Sequence, residues 1–389
     1  MPDGSETQII KVLGGINEIN PDDWDTCAGN SDPFVRHSFF SALEDSRSVC
    51  ADTGWLPRHL VLEDETGVPL AVTPLYLKNH SYGEYVFDWG WADAYHRAGG
   101  RYYPKLQAAV PFTPVTGRRL LVREDLPPEK QRALQKALLS GLVQLAEQLG
   151  CSSFHITFPN HEEWRLCGEM GLLQRTDRQF HWINDGFGCF DDFLAALSSR
   201  KRKTIRRERR AIDEAEDVVI HTLRGDEIQE RHWDAFFRFY HNTSDRKWGQ
   251  AYLNRHFFSR LGQTMGENVL LIMAERGDEF VGGALNLIGE DTLYGRYWGC
   301  LENFKFLHFE VCYYRAIDFA IEKGLKKVEA GAQGTHKLQR GYLPHATYSA
   351  HWIADSGFRK AVRRFLIDER EAVGEEIEVL ADHSPFRKS

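Results

Sequence analysis

The same order of predicted elements occurs twice along the 389-residue chain. In residues 59–78 two apolar runs flank a Glu-Thr-Gly sequence, the pattern of two strands joined by a tight turn. Residues 129–149 carry leucines at helical spacing, and a glycine and an apolar strand at 151–158 follow them. A hairpin, a helix and a strand in this order are typical of an α/β unit.

The second half repeats this order. Residues 269–288 form two apolar runs about a Gly-Asp turn, 292–300 read as a further strand, 309–323 as a helix closed by a glycine, and 326–332 as the last core strand. Chance recurrence of common elements is the alternative to duplication. We predict an α/β (α+β) fold with two domains, 1–185 and 186–389, each a twisted mixed sheet flanked by helices.

Length and composition agree with this division. A chain of 389 residues is long enough for two domains of about 150–200 residues. Its seven cysteines show neither a CxxC pair nor metal-ligand spacing, so we expect no disulfide framework and no metal site. The first residues lack the charged and apolar regions of a signal peptide, and no long apolar run follows. We therefore expect a cytoplasmic protein without a tightly bound cofactor.

A strongly cationic run at 200–210 stands out in an otherwise acidic chain. It contains eight Lys or Arg and one Glu, a local charge of +7, against a net charge of −8 for the whole chain. We predict one helix from about Asp191, with an apolar stripe and a cationic face that binds tRNA or phosphate. A solvated charged helix face is the alternative. The predicted anion contacts are Arg202, Lys203, Arg206, Arg207, Arg209 and Arg210.

Residues 87–121 mix aromatic and cationic side chains without a regular period. Tyr and Trp combine an apolar ring with a polar group, which suits a ligand that is part apolar and part anionic. A long loop that covers a sheet is the alternative interpretation. The predicted substrate contacts in this segment are Trp89, Trp91, Tyr95, Tyr102, Tyr103, Lys105, Phe112, Thr113, Thr116 and Arg118.

Two stretches of the second half contain candidate catalytic and binding groups. His308, Glu310 and Tyr314 offer proton acceptors and donors for acylation of an amine, although an ordinary amphipathic helix can show the same residues. The loop at 330–341 combines glycines with side chains that can bind a carboxylate or a phosphate. Its predicted contacts are Gln333, His336, Lys337 and Arg340.

Several of these stretches together resemble a known family. Residues 87–121, FHITFPN at 154–160, the basic run and residues 309–341 are similar to a bacterial family of predicted N-acyltransferases, or peptidoglycan-biosynthesis-like proteins, related to the Fem-type aminoacyltransferases. The resemblance covers most of the chain. It implies two tandem GNAT-like domains and transfer of an acyl group to an amine.

The acyl donor is the main open question at this level. Acyl-CoA-dependent members of the GNAT superfamily hold the pyrophosphate on a glycine-rich loop, whereas the corresponding connection at 301–308 contains no glycine. This favours an aminoacyl-tRNA donor and an amine acceptor of a peptide or a peptidoglycan-precursor-like compound. The alternatives are an acyl-CoA donor in a noncanonical pocket and an inert protein that binds RNA or an anionic metabolite.

Overall fold

The computed structural model describes residues 9–215, 217–248, 251–301, 304–332 and 334–387; of residues 244–248 and Thr335 it describes the backbone alone. The strands are β1 (Ile9–Leu13), β2 (Trp55–Pro57), β3 (His59–Glu63), β4 (Pro69–Thr73), β5 (Leu75–Lys78), β6 (Lys105–Ala108), β7 (Leu121–Val122), β8 (Ser153–Thr157), β9 (Leu173–Ile183), β10 (Val218–Arg224), β11 (Val269–Arg276), β12 (Glu279–Ile288), β13 (Thr292–Cys300), β14 (Lys327–Glu329) and β15 (Leu343–Ile353). The helices are α1 (Pro21–Ala28), α2 (His37–Asp45), α3 (Trp89–Arg97), α4 (Pro128–Gln148), α5 (His161–Glu169), α6 (Phe190–Ala196), α7 (Ser199–Asp213), α8 (Glu230–Trp248), α9 (Arg255–Met265), α10 (Leu307–Phe309), α11 (Arg315–Glu322) and α12 (Ser356–Asp382). None of these helices is long and apolar enough to cross a membrane.

The chain forms two compact units. The first consists of residues 1–177 and 347–373, and the second of residues 178–346 and 374–389. Residues 347–373 belong to the first unit although they come late in the chain. The reason is a strand pairing, because the end of β15 lies antiparallel to β8.

The first unit contains two groups of paired strands. The smaller is antiparallel in the order β1-β3-β4-β7, and the larger follows the order β2-β5-β6-β8-β15. The chain passes from β4 to β5 at Pro74, which has no N–H to donate to a ladder. Within the larger group β6 and β8 are parallel, and α4 lies in the connection between them.

The second unit contains a meander followed by a parallel pair. Strands β10 to β13 are antiparallel neighbours, β13 and β14 are parallel, and the end of β9 pairs with β14. Helices α10 and α11 lie in the connection between the two parallel strands. Apolar residues of α7, the meander and α11 form one buried core.

Most predicted elements are confirmed. The hairpins at 59–78 and 269–288 are present, and the leucine-rich helix is α4, only a residue from its expected limits at either end. The predicted helix at 309–323 begins earlier and contains a wider, π-helical turn over Glu310–Tyr314. The α/β class with helices flanking mixed sheets is therefore correct.

The single basic helix is a correction. The chain is extended at Leu197 and Ser198, so α6 ends at Ala196 and α7 starts afresh at Ser199. The C-terminal tail causes this break because its backbone pairs there: the N–H of Ser198 donates to the carbonyl of Pro385 at 2.9 Å. The predicted apolar stripe on this helix is largely confirmed, since Ile205 and Ile212 are buried, and Glu208 on the same face is buried with them.

Candidate functional site

The parallel strands of the second unit separate after a short contact. β13 and β14 pair only from Thr292 to Tyr294, opposite Lys327 to Glu329, while β13 continues beside β12 to Cys300. The two parallel strands are therefore not paired with each other beyond Tyr294. A separation between parallel strands can receive an extended ligand through main-chain hydrogen bonds.

The connection after β13 has an irregular backbone. Phe306 adopts a left-handed conformation with φ 70°, and α10 leads directly into the π-helical turn at Glu310–Tyr314. A π-helical turn adds a residue to a helix and is frequently found at functional sites. It sets the directions of the side chains from Glu310 to Tyr314, and the predicted catalytic residue His308 lies just before it in α10.

An aromatic and imidazole cluster lies on this connection. The Tyr313 hydroxyl and His336 Nε2 are 2.9 Å apart, and the His308 ring is 5.2 Å from the Tyr313 ring and 5.7 Å from the His336 ring. Both histidines are half-buried. Burial raises the pKa of Tyr313, so its hydroxyl stays protonated. In the tautomer of His336 whose Nε2–H donates to this hydroxyl, Nδ1 is left to accept a proton. The structure thus brings together two predicted residues, His308 and His336, that can accept a proton.

Glu310 lies in an ion-pair network instead. Its Oε1 is 2.8 Å from Arg315 Nε and 3.1 Å from Arg209 Nη2, and the residue is completely buried. Burial raises the pKa of Glu310, while the two guanidinium groups act in the opposite direction. Arg209 also binds Asp318 at 2.6 Å. These contacts tie α7 to the helical connection, which is a positioning role for Glu310 and Arg209.

Tyr314 and Arg340 belong to a second internal network. Tyr314 donates to Glu208 Oε2, and Arg340 binds both oxygens of Glu208 at 2.8 and 2.9 Å and Tyr314 at 3.0 Å. Its third guanidinium nitrogen donates to the carbonyl of His336. Because its donors are used inside the fold, the predicted ligand contact by Arg340 is not supported.

The remaining loop predictions have different outcomes. Lys337 is buried, and its ammonium donates to the carbonyls of Ala330 and Gly331. These contacts hold the loop together and do not support the predicted binding of an anion. Gln333 lies outside the described residues.

The cationic run divides into two groups. Arg209 faces inward, whereas the others are exposed or half-buried on α7. Arg206 has an exposed acidic partner, Asp191, at 3.1 Å. Exposed ion pairs of this kind contribute little to the stability of a fold. Cations in the first turn of a helix add to the positive end of its dipole. The outward group that remains available to an anion is Arg202, Lys203, Arg206, Arg207 and Arg210.

In the first unit, the aromatic and cationic segment mainly covers a sheet. Trp91, Tyr102, Phe112 and Thr113 are buried, whereas Trp89 is 41% exposed. Tyr95, Tyr103, Thr116 and Arg118 are half-buried. Burial of these residues agrees with a covering role, as in the alternative interpretation, but the segment contains helix α3 and strand β6 and is not one long loop. Ligand binding by its exposed aromatic residues stays a prediction.

The two predicted cations of this segment are used internally. Arg118 donates to the carbonyls of Cys27 and Val122 and pairs with Glu124. Lys105 is completely buried, and its ammonium group binds acidic side chains of the covering segment. Their contacts do not support the predicted binding of a ligand anion.

Sequence reasoning missed the buried polar network around Lys105. Its ammonium lies 2.7 Å from Glu84 and 2.5 Å from Asp88, and Asp88 accepts from Tyr102. His155 joins this network, since its Nε2 lies 3.3 Å from the Tyr102 hydroxyl and its Nδ1 lies 2.7 Å from Nδ1 of His351. Polar residues at every second position of β5, β6 and β8 were the available signal.

Comparison with known proteins agrees with the fold. The solved structure of FemX has a TM-score of 0.56, 11% identity, and coverage of 89% of this chain and 98% of that chain. The structure of L-PGS from Bacillus licheniformis has a TM-score of 0.50, 11% identity, and coverage of 87% and 98%. A C-terminal domain of a putative lysylphosphatidylglycerol synthetase from Agrobacterium fabrum has a TM-score of 0.51, 9% identity, and coverage of 84% and 95%. The predicted α/β fold of mixed sheets flanked by helices is thereby confirmed.

Sequence comparison identifies the family. No curated protein matches the chain. A family profile named FemAB-like and described as peptidoglycan biosynthesis/recognition matches residues 15–388. Because the match covers nearly the whole sequence, this chain belongs to the FemAB-like family.

Proposed function

We propose that this protein is an N-acyltransferase that moves an aminoacyl group from aminoacyl-tRNA to an amine of a peptide or a peptidoglycan-precursor-like acceptor. The family supports a transferase acting in a peptidoglycan-related process. Support for a tRNA donor comes from one observation, the outward cationic group of α7. We place the reaction in the cytoplasm, where charged tRNA is found.

The outward cations suit a polyanion because the internal acids near α7 are already occupied. Glu208 is held by Arg340, and Glu310 and Asp318 are held by Arg209. The exposed cations therefore gain little neutralisation from their own helix. Phosphate groups of an RNA backbone would supply it and would release bound counterions.

In the proposed reaction the acceptor amine attacks the ester carbonyl of the aminoacyl-tRNA. An amide C–N bond forms, the ester C–O bond breaks, and the terminal ribose hydroxyl of the tRNA leaves. His308 or His336 takes the proton released by the amine and returns a proton to the leaving oxygen. The Tyr313 hydroxyl orients His336 through its 2.9 Å hydrogen bond.

An acyl-CoA donor is the second candidate, and the separation of β13 from β14 beyond Tyr294 favours it. A donor with amide groups along an extended arm could bind there as an added strand. Micromolar binding of acetyl-CoA in calorimetry, with no binding of tRNA, would favour this candidate over the first.

The tRNA proposal is tested by charge reversal on α7. The variant Arg206→Glu, Arg207→Glu, Arg210→Glu removes three outward cations and leaves Arg209 in place. We expect the logarithm of the tRNA affinity of the wild type to fall linearly with the logarithm of salt concentration, by about 0.7–0.9 per phosphate contact. The variant should bind more weakly and show a slope smaller by about 2–3.

A matched control lies on another helix. Lys360, Arg363 and Arg364 are three exposed cations on α12, and their reversal to Glu changes the net charge equally. This control should leave the salt dependence close to that of the wild type. Equal losses in both variants would show that only net charge matters, and unchanged tRNA binding in the α7 variant would contradict the proposal.

The proton-transfer step has its own test. Single His308→Gln and His336→Gln variants should retain tRNA binding, because neither residue is on α7. One of them should lower the rate of transfer by about 100-fold or more if it removes the general base. Full activity in both variants would exclude these histidines from the reaction.

A further inference from the structure

An acid lies on the buried face of the basic helix α7. Glu208 follows Ile205 by three residues and precedes Ile212 by four, so the three side chains share one face of the helix, and all of them are buried. An ionised carboxylate in an apolar stripe is costly unless it is paired and hydrogen-bonded. The partners of Glu208 therefore decide what it does.

Glu208 binds one residue from each of two segments, the connection after β13 and the loop after β14. Both of its oxygens accept from Arg340 Nη2, at 2.8 and 2.9 Å, and Oε2 also accepts from the Tyr314 hydroxyl. Arg340 Nε donates to the same hydroxyl at 3.0 Å. The three side chains are buried and form a closed triangle of hydrogen bonds.

Arg340 extends this triangle to His336 in two ways. Its Nη1 donates to the main-chain carbonyl of His336 at 2.8 Å. Its Cζ lies 3.3 Å from the centre of the Phe309 ring, and that ring is 5.7 Å from the His336 ring. Arg340 thus fixes the backbone of His336 and an aromatic ring beside its imidazole.

The hydrogen-bond partner of the imidazole is held through Tyr314. Tyr313 precedes Tyr314 in the π-helical turn, and its hydroxyl is 2.9 Å from His336 Nε2. Glu208 therefore contacts the neighbour of Tyr313 directly and the backbone of His336 through Arg340. A hydrogen bond donated from Nε2 selects one tautomer of a neutral imidazole and leaves Nδ1 to accept a proton.

We propose that Glu208 is a positioning residue for His336. Its carboxylate holds Tyr314 and Arg340, so that His336 keeps Nε2 on the Tyr313 hydroxyl and presents Nδ1 as the proton acceptor. Catalytic groups need such support, because a side chain that is free to rotate spends only part of its time in the productive geometry. The inference rests on the proposed function, in which a histidine takes the proton of the acceptor amine.

The tautomer of His336 tests the positioning without any substrate. Ring nitrogen signals in NMR spectra, assigned with His336→Gln, distinguish an imidazole protonated at Nε2 from one protonated at Nδ1. At about pH 8 we expect His336 of the wild type to be mainly in the Nε2–H form, and Glu208→Gln to shift it to a mixture of both forms. An unchanged tautomer in folded Glu208→Gln would overturn the proposal.

Transfer kinetics give the second readout. Glu208→Gln should lower kcat about tenfold and leave the KM for aminoacyl-tRNA within about twofold, because the outward cations of α7 stay in place. The matched control is Glu230→Gln, which affects an exposed pair with Arg255 in the same unit and should leave kcat unchanged. A rise in KM at unchanged kcat would contradict the positioning role. Absence of transfer by the wild type would contradict the proposed function instead, and the tautomer measurement would still decide this inference.

Arg340→Lys separates positioning from stability. A lysine keeps a positive charge beside Glu208, but its single nitrogen cannot also hold the carbonyl of His336 as the planar guanidinium does. We expect this variant to show mixed tautomers and about a tenfold lower kcat, and to unfold at a higher urea concentration than Glu208→Gln. It carries the test alone should Glu208→Gln fail to fold. Wild-type tautomer and kcat in Arg340→Lys would overturn the proposal.

Discussion

The first and second units use polar residues in different ways beside similar strand pairs. In the first unit α4 connects parallel β6 and β8, and in the second α10 and α11 connect parallel β13 and β14. Each parallel contact covers three residue pairs. The first unit buries its lysines and acids on a sheet face. The second unit anchors a basic helix through buried acids and leaves other cations in solvent.

The difference shows that burial, rather than charge alone, decides what a cation can do. Lys105 and Arg206 both belong to segments predicted to bind anions. Lys105 is enclosed by Glu84 and Asp88, so an external anion has no access to it. Arg206 is exposed and has one weak partner. A polyanion can therefore reach α7 but not the buried lysine.

The largest expected effect is at Lys105. Lys105→Met leaves two carboxylates buried without their cation, and we expect the free energy of unfolding to fall by about 3–5 kcal/mol in urea denaturation. Arg97→Ala breaks an exposed ion pair with Asp93 and should change it by less than about 0.5 kcal/mol. Equal effects of the two variants would contradict the difference between buried and exposed pairs.

A smaller loss is expected at Glu208 in the second unit. Glu208→Gln weakens the bidentate contact with Arg340, and the free energy of unfolding should decrease by about 2 kcal/mol. The comparison variant is Asp191→Asn, which affects only the exposed pair with Arg206 and should be nearly neutral. A neutral Glu208→Gln would mean that this network does not hold α7.

The histidine pair of the first unit makes stability depend on pH. Burial lowers the pKa of His155 to about 3, so below about pH 6.5 the unfolded chain takes up a proton that the folded chain does not. The stability contributed by neutral His155 is complete above about pH 6.5 and is lost as the pH falls toward about 3, by up to about 1.4 kcal/mol per pH unit.

His155→Asn isolates this contribution. The difference in unfolding free energy between wild type and variant should narrow when urea denaturation is repeated at about pH 5 instead of about pH 7. The exposed residue His96 provides a control, since His96→Asn should show the same difference at both values. A pH-independent difference for His155→Asn would show that folding does not lower the pKa of this imidazole.

The smallest expected effect on stability is on the outward face of α7. Reversal of Arg206, Arg207 and Arg210 should change the free energy of unfolding by less than about 0.5 kcal/mol per residue, although tRNA affinity falls. Thermal unfolding measured beside the binding assay checks both. A large loss of stability would mean that these arginines hold the fold, as Arg209 does.

The regular elements followed from local patterns. Leucine spacing located α4, and turn residues between apolar runs located both hairpins. The break between α6 and α7 was missed because its cause lies far along the chain, in backbone pairing with Pro385 and Arg387. The local sequence through Leu197 and Ser198 is compatible with a continuous helix.

The candidate site was predicted only in part. His308 and His336 were both predicted from the sequence as site residues, but only the structure shows that their rings lie 5.7 Å apart. Arg340 and Lys337 were assigned to a ligand because their chemistry suits one. Their actual partners, Glu208 and the carbonyls of the loop, depend on how that loop folds against its neighbours.

By itself, the sequence determined the α/β class, the repeated order of elements and the cationic run, because each depends on neighbours within a few residues. Only the tertiary structure decided which charges are enclosed. Glu84 and Lys105 are separated along the chain, and so are Glu208 and Arg340, yet each pair meets in the interior. Burial and pairing are properties of the surroundings, and many different chain segments supply those surroundings.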